Sequence, residues 1–211
     1  MSAPAVATRR RAARPAGAVV AIAVVALASA AAAAEPVAWR IARGDVRVVC
    51  PLTVGGSFEA RTTAVAATLG LATSRPLALS GDVAVDLKTL DTGIGLRNEH
   101  MRNNYLEVGK GAGFDTAVLS DIRFADGDVA TLAGRRHFDG TLSLHGTKRP
   151  VGGDADVRRD GSTVRIEAAF PVRLADYAIA PPRYLGVGVK DEVQVKVSLT
   201  AAPALAAEGA R

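Results

Sequence analysis

An apolar residue at every second position, repeated in segment after segment between Val37 and Thr200, is the feature that most constrains this chain. Phe138, Gly140, Leu142 and Leu144 alternate with Asp139, Thr141, Ser143 and His145. Successive side chains of a strand point to opposite faces, so such a segment buries one face and wets the other. His145-Gly146-Thr147-Lys148-Arg149-Pro150 then breaks the strand, because Gly frees the backbone and Pro lacks a ladder donor. Val37, Trp39 and Ile41 start one strand, and Val46 to Val54 forms the next. Phe58, Ala60, Thr62, Ala64 and Ala66 share a face, as do Val83, Val85 and Leu87. Val118, Ser120, Ile122 and Phe124 share another, followed by Val129, Thr131 and Ala133 after Asp126-Gly127-Asp128. Val164, Ile166, Ala168, Phe170 and Val172 alternate with charged residues, and Val193, Val195, Val197 and Leu199 close the series. Many short alternating strands without long helical periods predict an antiparallel barrel or sandwich. A barrel also removes the exposed edges that so many strands would otherwise present.

Leu96 to Leu106 departs from this rhythm. Leu96 and His100 stand at i,i+4, and Met101 and Tyr105 likewise, which predicts a short helical segment over one mouth of a barrel. The N-terminal 34 residues read as a secretory signal peptide: Arg9, Arg10, Arg11 and Arg14, an apolar run from Ala16 to Ala28, then Ala32-Ala33-Ala34 before Glu35. The alternative is an uncleaved anchor, but the strongly apolar run is short of the roughly 20 residues a span needs. The expected organisation is a signal peptide over 1–34, one β domain over 35–200 and a frayed tail over 201–211. The expected location is the periplasm or the exterior.

Removing residues 1–34 changes the charge argument. Four of the 26 basic residues and none of the 21 acidic ones lie there, leaving 22 against 21. A near-neutral domain lacks the electrostatic footprint of a nucleic-acid binder. Cys50 is the only cysteine, so no intramolecular disulfide forms. A buried apolar thiol is its simplest reading, and a reactive thiol the alternative.

His100, His137 and His145 have no metal-ligand spacing and no accompanying cysteine pair. No G-x-S-x-G elbow, P-loop or dinucleotide fingerprint is present. Gly186-Val187-Gly188 reads as flexible backbone at a barrel rim, His137 as a solvated strand residue and His145 as a turn residue. The expectation is a non-enzyme without a cofactor. Glu99 and His100, adjacent in sequence, are the one acid–base couple that a hydrolase or isomerase reading would use.

The stretch F-D-G-T-L-S-L-H-G-T-K-R-P-V, residues 138–151, resembles a signature of the YceI-like family, roughly G-x-L-T-L-x-G-x-T-x-P-V. Val54-Gly55-Gly56-Ser57-Phe58-Glu59 is similar to the family's v-x-G-x-F element. Leu87 to Arg102 is similar to its strand leading into R-x-x-H-L/M-R, with Tyr105-Leu106 after it. Leu174-Ala175-Asp176-Tyr177-Ala178-Ile179 looks like d-[FY]-g-I, with Ala178 where Gly is usual, and Val189 to Val193 looks like v-x-D-x-V. Gly111 to Asp115 and Pro181 to Gly188 depart from the family pattern, which touches the shape of one barrel end.

The resemblance implies an eight-stranded antiparallel lipocalin-like barrel holding a long isoprenoid lipid, a polyprenyl chain or an isoprenoid quinone, in an apolar tunnel. Phe58, Leu87, Ile122, Phe124, Leu142, Leu144, Ile166 and Phe170 are the candidate tunnel residues; the same residue types also fill dry cores. Arg97, His100 and Arg102 are the candidate head-group residues, since guanidinium forks suit phosphate oxygens. Arg97 and Arg102 could instead pair with Glu99 or Glu107. A filled barrel acting through protein–protein contacts is the rival class.

Overall fold

The computed structural model describes residues 38–71, 77–125, 133–184 and 186–203. The expected signal peptide, the segment around Val129 and Thr131, and residues 204–211 of the expected tail lie outside them. Alternation becomes strands in chain order: β1 (Ala38–Pro51), β2 (Ser57–Thr62), β3 (Val65–Leu71), β4 (Leu77–Ser80), β5 (Val83–Asp86), β6 (Thr116–Phe124), β7 (Gly134–Leu144), β8 (Thr147–Asp160), β9 (Thr163–Arg173) and, after a short hairpin, β12 (Glu192–Pro203). The hairpin is β10 (Arg183–Tyr184) with β11 (Val187–Gly188), paired only with each other.

The ring closes. β1 pairs antiparallel with β12 along one side, and with β2 and then β3 along the other. β3 pairs with β4 and β5, both of which pair with β6, and β6, β7, β8, β9 and β12 follow in turn. Taking β2 with β3 and β4 with β5 as two interrupted strands, this is a closed eight-stranded antiparallel barrel in which every strand neighbours the next in sequence. The family resemblance implied this architecture.

Small barrels force their strands to bend, and the bends explain where alternation misleads. Residues 38–51 form one strand instead of two; an irregularity between Ile41 and Arg43 moves the inward positions from Trp39 and Ile41 to Val46, Val48 and Cys50. After Thr62 the chain kinks, with Val65 N donating to Thr63 O at 2.9 Å and Ala64 N to Thr62 Oγ1 at 3.0 Å. Phe58 and Ala60 face inward before the kink, but Val65, Ala67 and Leu69 do so after it, so the shared face read for Ala64 and Ala66 ends at Thr62. In β6 the residue at the irregularity, Asp121, takes φ 53°. Ala117 and Leu119 therefore line the interior before it and Ile122 and Phe124 after it, which removes Val118 and Ser120 from the expected inner face. β9 and β12 need no such correction. β12 also runs to Pro203, past the expected start of the tail.

The strand ends sort the connections. The β1–β2 turn, residues 87–115, the two-residue β7–β8 turn and residues 174–191 all meet at one end. Residues 87–115 contain the one α-helix among the described residues, α1 (Gly95–His100), which continues as a π-helical turn over Met101–Tyr105. Leu106 N donates to Met101 O at 2.9 Å, the i→i+5 spacing of that turn. The segment is pinned at both sides: Leu87 N donates to Asp115 O at 2.9 Å, and Gly146 N to Gly113 O at 2.8 Å.

Candidate ligand tunnel

The inward faces of the strands do not meet. They enclose a cavity of about 1000 Å³ that runs from Leu69, Phe124, Phe138 and Leu199 to α1 and the β10–β11 hairpin. Close-packed interiors leave few voids larger than one water, whose share of the liquid is about 30 Å³, so this is no packing defect. Its far end is lined by buried residues, with Phe138 and Phe170 set edge to face at 5.8 Å. Its near end is lined by exposed ones, Ser57, Leu96, His100, Arg183 and Val187, so the opening lies there. The β1–β2 turn, α1 and the hairpin surround it.

All eight candidate tunnel residues line this cavity: Phe58, Leu87, Ile122, Phe124, Leu142, Leu144, Ile166 and Phe170. They come from five different strands or strand ends, and only closure brings them together. Sequence reading did not include among them Leu119, whose face the β6 irregularity sets, or Leu106, Ile179 and Val189 from the mouth connections.

Polarity along the tunnel is one-sided. Among the described residues its polar side chains are Cys50, Ser57, Arg97, His100, Tyr105 and Arg183, all on elements at or next to the opening, and no described carboxylate lines it. Arg97 stacks its guanidinium 4.4 Å from the centroid of the Phe58 ring, which fixes it at the rim and ties α1 to β2. Burial pushes the Cys50 thiol up to about 11, only partly opposed by the charge of Arg97, so it stays protonated and unreactive at neutral pH.

Arg102 is placed differently from Arg97 and His100. It lies outside the tunnel lining and donates from Nη2 to the carbonyl of buried Leu90 at 2.6 Å, bracing the backbone of residues 87–115, the lid segment beside the opening. Its Nε is buried without a partner. Glu99 also lies outside the lining and is exposed, so the Glu99–His100 couple does not converge on the cavity. Among the described residues, no group of three or more His, Cys, Asp and Glu is arranged to hold a metal ion. His137 sits on the outer wall beside Asp139 and Asp154.

His145 does more than turn the chain. Held at φ 51° beside Gly146, it places Nδ1 2.9 Å from Tyr177 O and Nε2 2.9 Å from Glu107 Oε2, with Phe114 packed on its ring. It therefore joins the lid segment to the 3₁₀ turn Leu174–Tyr177 beneath the opening. The sequence signal was a bulky residue next to Gly in a two-residue hairpin, where both positions require positive φ.

The sequence profile of the YceI-like domain matches residues 39–201, from the first strand of the barrel to the last. The chain belongs to the YceI-like family. No curated protein sequence matches it. Among solved structures, this YceI-like barrel is similar to BcnA of Burkholderia cenocepacia, at 18% identity and a TM-score of 0.59, over 75% of this chain and 96% of that one. It is also similar to a polyisoprenoid binding domain from Saccharophagus degradans implicated in plant cell wall breakdown, at 17% identity and a TM-score of 0.57, over 80% of this chain and 99% of that one. At such identities the likeness is one of fold.

Proposed function

We propose that this YceI-like protein is a non-catalytic binding protein that holds one long isoprenoid lipid, chain inward and head at the mouth. The observation that carries the reading is the one-sided polarity of a cavity of about 1000 Å³: among the described lining residues it is apolar along its length, with arginine and histidine at the opening. An empty apolar cavity of that size is unfavourable, and filling it with water wastes most of the water's hydrogen bonds. An apolar chain removes both costs. The fold neighbour from Saccharophagus degradans, a polyisoprenoid binding domain, supports the same ligand class. Arg97 and His100 orient the polar head, and the signal-like N-terminus supports action in the periplasm or outside the cell.

Calorimetric titration with polyprenyl phosphates of increasing length tests this. Each CH₂ buried contributes about 0.8 kcal/mol, so affinity should climb with every isoprene unit and level off once the tunnel is full. Affinity independent of chain length would contradict the reading.

A further inference from the structure

The exposed large hydrophobic residues among those described are Val54 (68% exposed), Leu96 (64%), Ile94 (49%) and Val187 (37%). Apolar residues scattered singly over a surface need no explanation, but these four gather around one opening. Ile94, Leu96 and Val187 line the mouth itself. Val54 joins them through its neighbour Thr53: Thr53 N donates to Gly188 O at 2.8 Å, and Gly188 N to Thr53 Oγ1 at 3.0 Å. The Arg97–Phe58 stack links α1 to the start of β2, so three elements form a continuous collar.

The charges on the collar favour one sign. Arg97 and Arg183 line the opening, and Lys190, whose N–H donates to Pro51 O at 2.8 Å, stands beside it. None of the described carboxylates lines the opening: Asp91 is held by Asn98 and Gly93, and Asp191 by Ala175 and the Arg173 guanidinium. Glu99 remains exposed on α1.

We propose that this collar docks on the surface of an anionic lipid bilayer, inserting Val54, Leu96, Ile94 and Val187 among the acyl chains while its cations meet lipid phosphates. The proposal rests on the lipid-binding reading for its purpose: a docked mouth lets an isoprenoid pass between membrane and tunnel without crossing water. Apolar side chains backed by arginine and lysine are the combination that binds bilayer interfaces. A second copy of the chain fits less well, because face-to-face docking would oppose two cationic rims.

Flotation of the detergent-free protein with phosphatidylcholine vesicles, with and without phosphatidylglycerol, tests the docking. Uptake of a fluorescent polyprenyl lipid from detergent micelles reads the tunnel separately. The expected result is flotation that strengthens with phosphatidylglycerol and falls at least roughly tenfold in Val54→Asp/Lys190→Glu, neither of which lines the tunnel. Micelle uptake should be unchanged in that variant, and Arg158→Glu on the outer wall should float like the parent. Flotation lost in a variant that melts like the parent supports docking even if the parent itself takes up no lipid from micelles, which would overturn the tunnel instead. A parent that takes lipid from micelles but does not float, or a variant that floats equally well, overturns docking. A dimeric parent made monomeric by the variant, without flotation, assigns the collar to self-association and also overturns it.

Discussion

Residue 178 carries an avoidable strain. Ala178 caps the 3₁₀ turn Leu174–Tyr177 at φ 56°, a conformation that crowds any Cβ and that glycine adopts freely. Ala178→Gly should therefore stabilise the protein by on the order of 1 kcal/mol, read from chemical denaturation, despite the greater flexibility glycine gives the unfolded chain. An unchanged or lower midpoint would show that the turn is not strained. At the rim, Arg97→Ala with His100→Ala should leave the melting temperature close to the parent's and weaken binding of a polyprenyl phosphate by about 1.5–3 kcal/mol. A headless polyprenyl hydrocarbon should lose far less affinity, and equal losses would remove the head-group role. The reach of these residues was only partly legible. The tunnel residues follow from strand parity, but Arg102 does not: a π-helical turn sets the direction of its side chain, and no sequence period reports that turn. His145 was legible as a turn residue, not as a clamp, because Glu107 and Tyr177 lie far away in sequence.

Among the elements, the connection between β5 and β6 is held by carboxylates whose ionisation folding favours. Hydrogen bonds from Asn98 and Gly93 lower Asp91, one from Lys110 lowers Glu107, and one from Lys88 lowers Asp115. Each folded value lies below the ordinary one, 3.8 for the aspartates and 4.5 for Glu107. Their stabilisation is thus full above those ordinary values and disappears as the pH falls through the depressed ones. The melting temperature should hold steady at mildly acidic pH and drop as the pH falls below the ordinary carboxylate values; Lys88→Ala should blunt that drop by freeing Asp115. A decline beginning near neutrality would point to other groups. Sequence reading was sharpest for elements without a bend: β7, β9 and β12 keep one parity from end to end. Its parity failed at the irregularity in β6 and at the β2–β3 kink, and it divided β1 in two at its irregularity, because the need to bend comes from closing the ring, not from any local residue preference.

For the molecule as a whole, the question is whether the barrel encloses a ligand or only a core. Eight neighbouring strands with inward apolar faces were readable from alternation and resemblance; the space between those faces was not, because the same residues fill dry interiors. Leu144 on β7 lines the cavity, so Leu144→Trp adds a ring where a lipid chain would lie. In a tunnel the variant should fold and melt near the parent; in a filled core, overpacking should cost roughly 1–3 kcal/mol. The most direct measurement is native mass spectrometry of the parent and Leu144→Trp, purified without detergent, with lipid extraction of the same samples. The account predicts a parent carrying one isoprenoid lipid per chain and a folded Trp variant carrying none. A parent that never holds lipid, with a Trp variant that melts early, would contradict it.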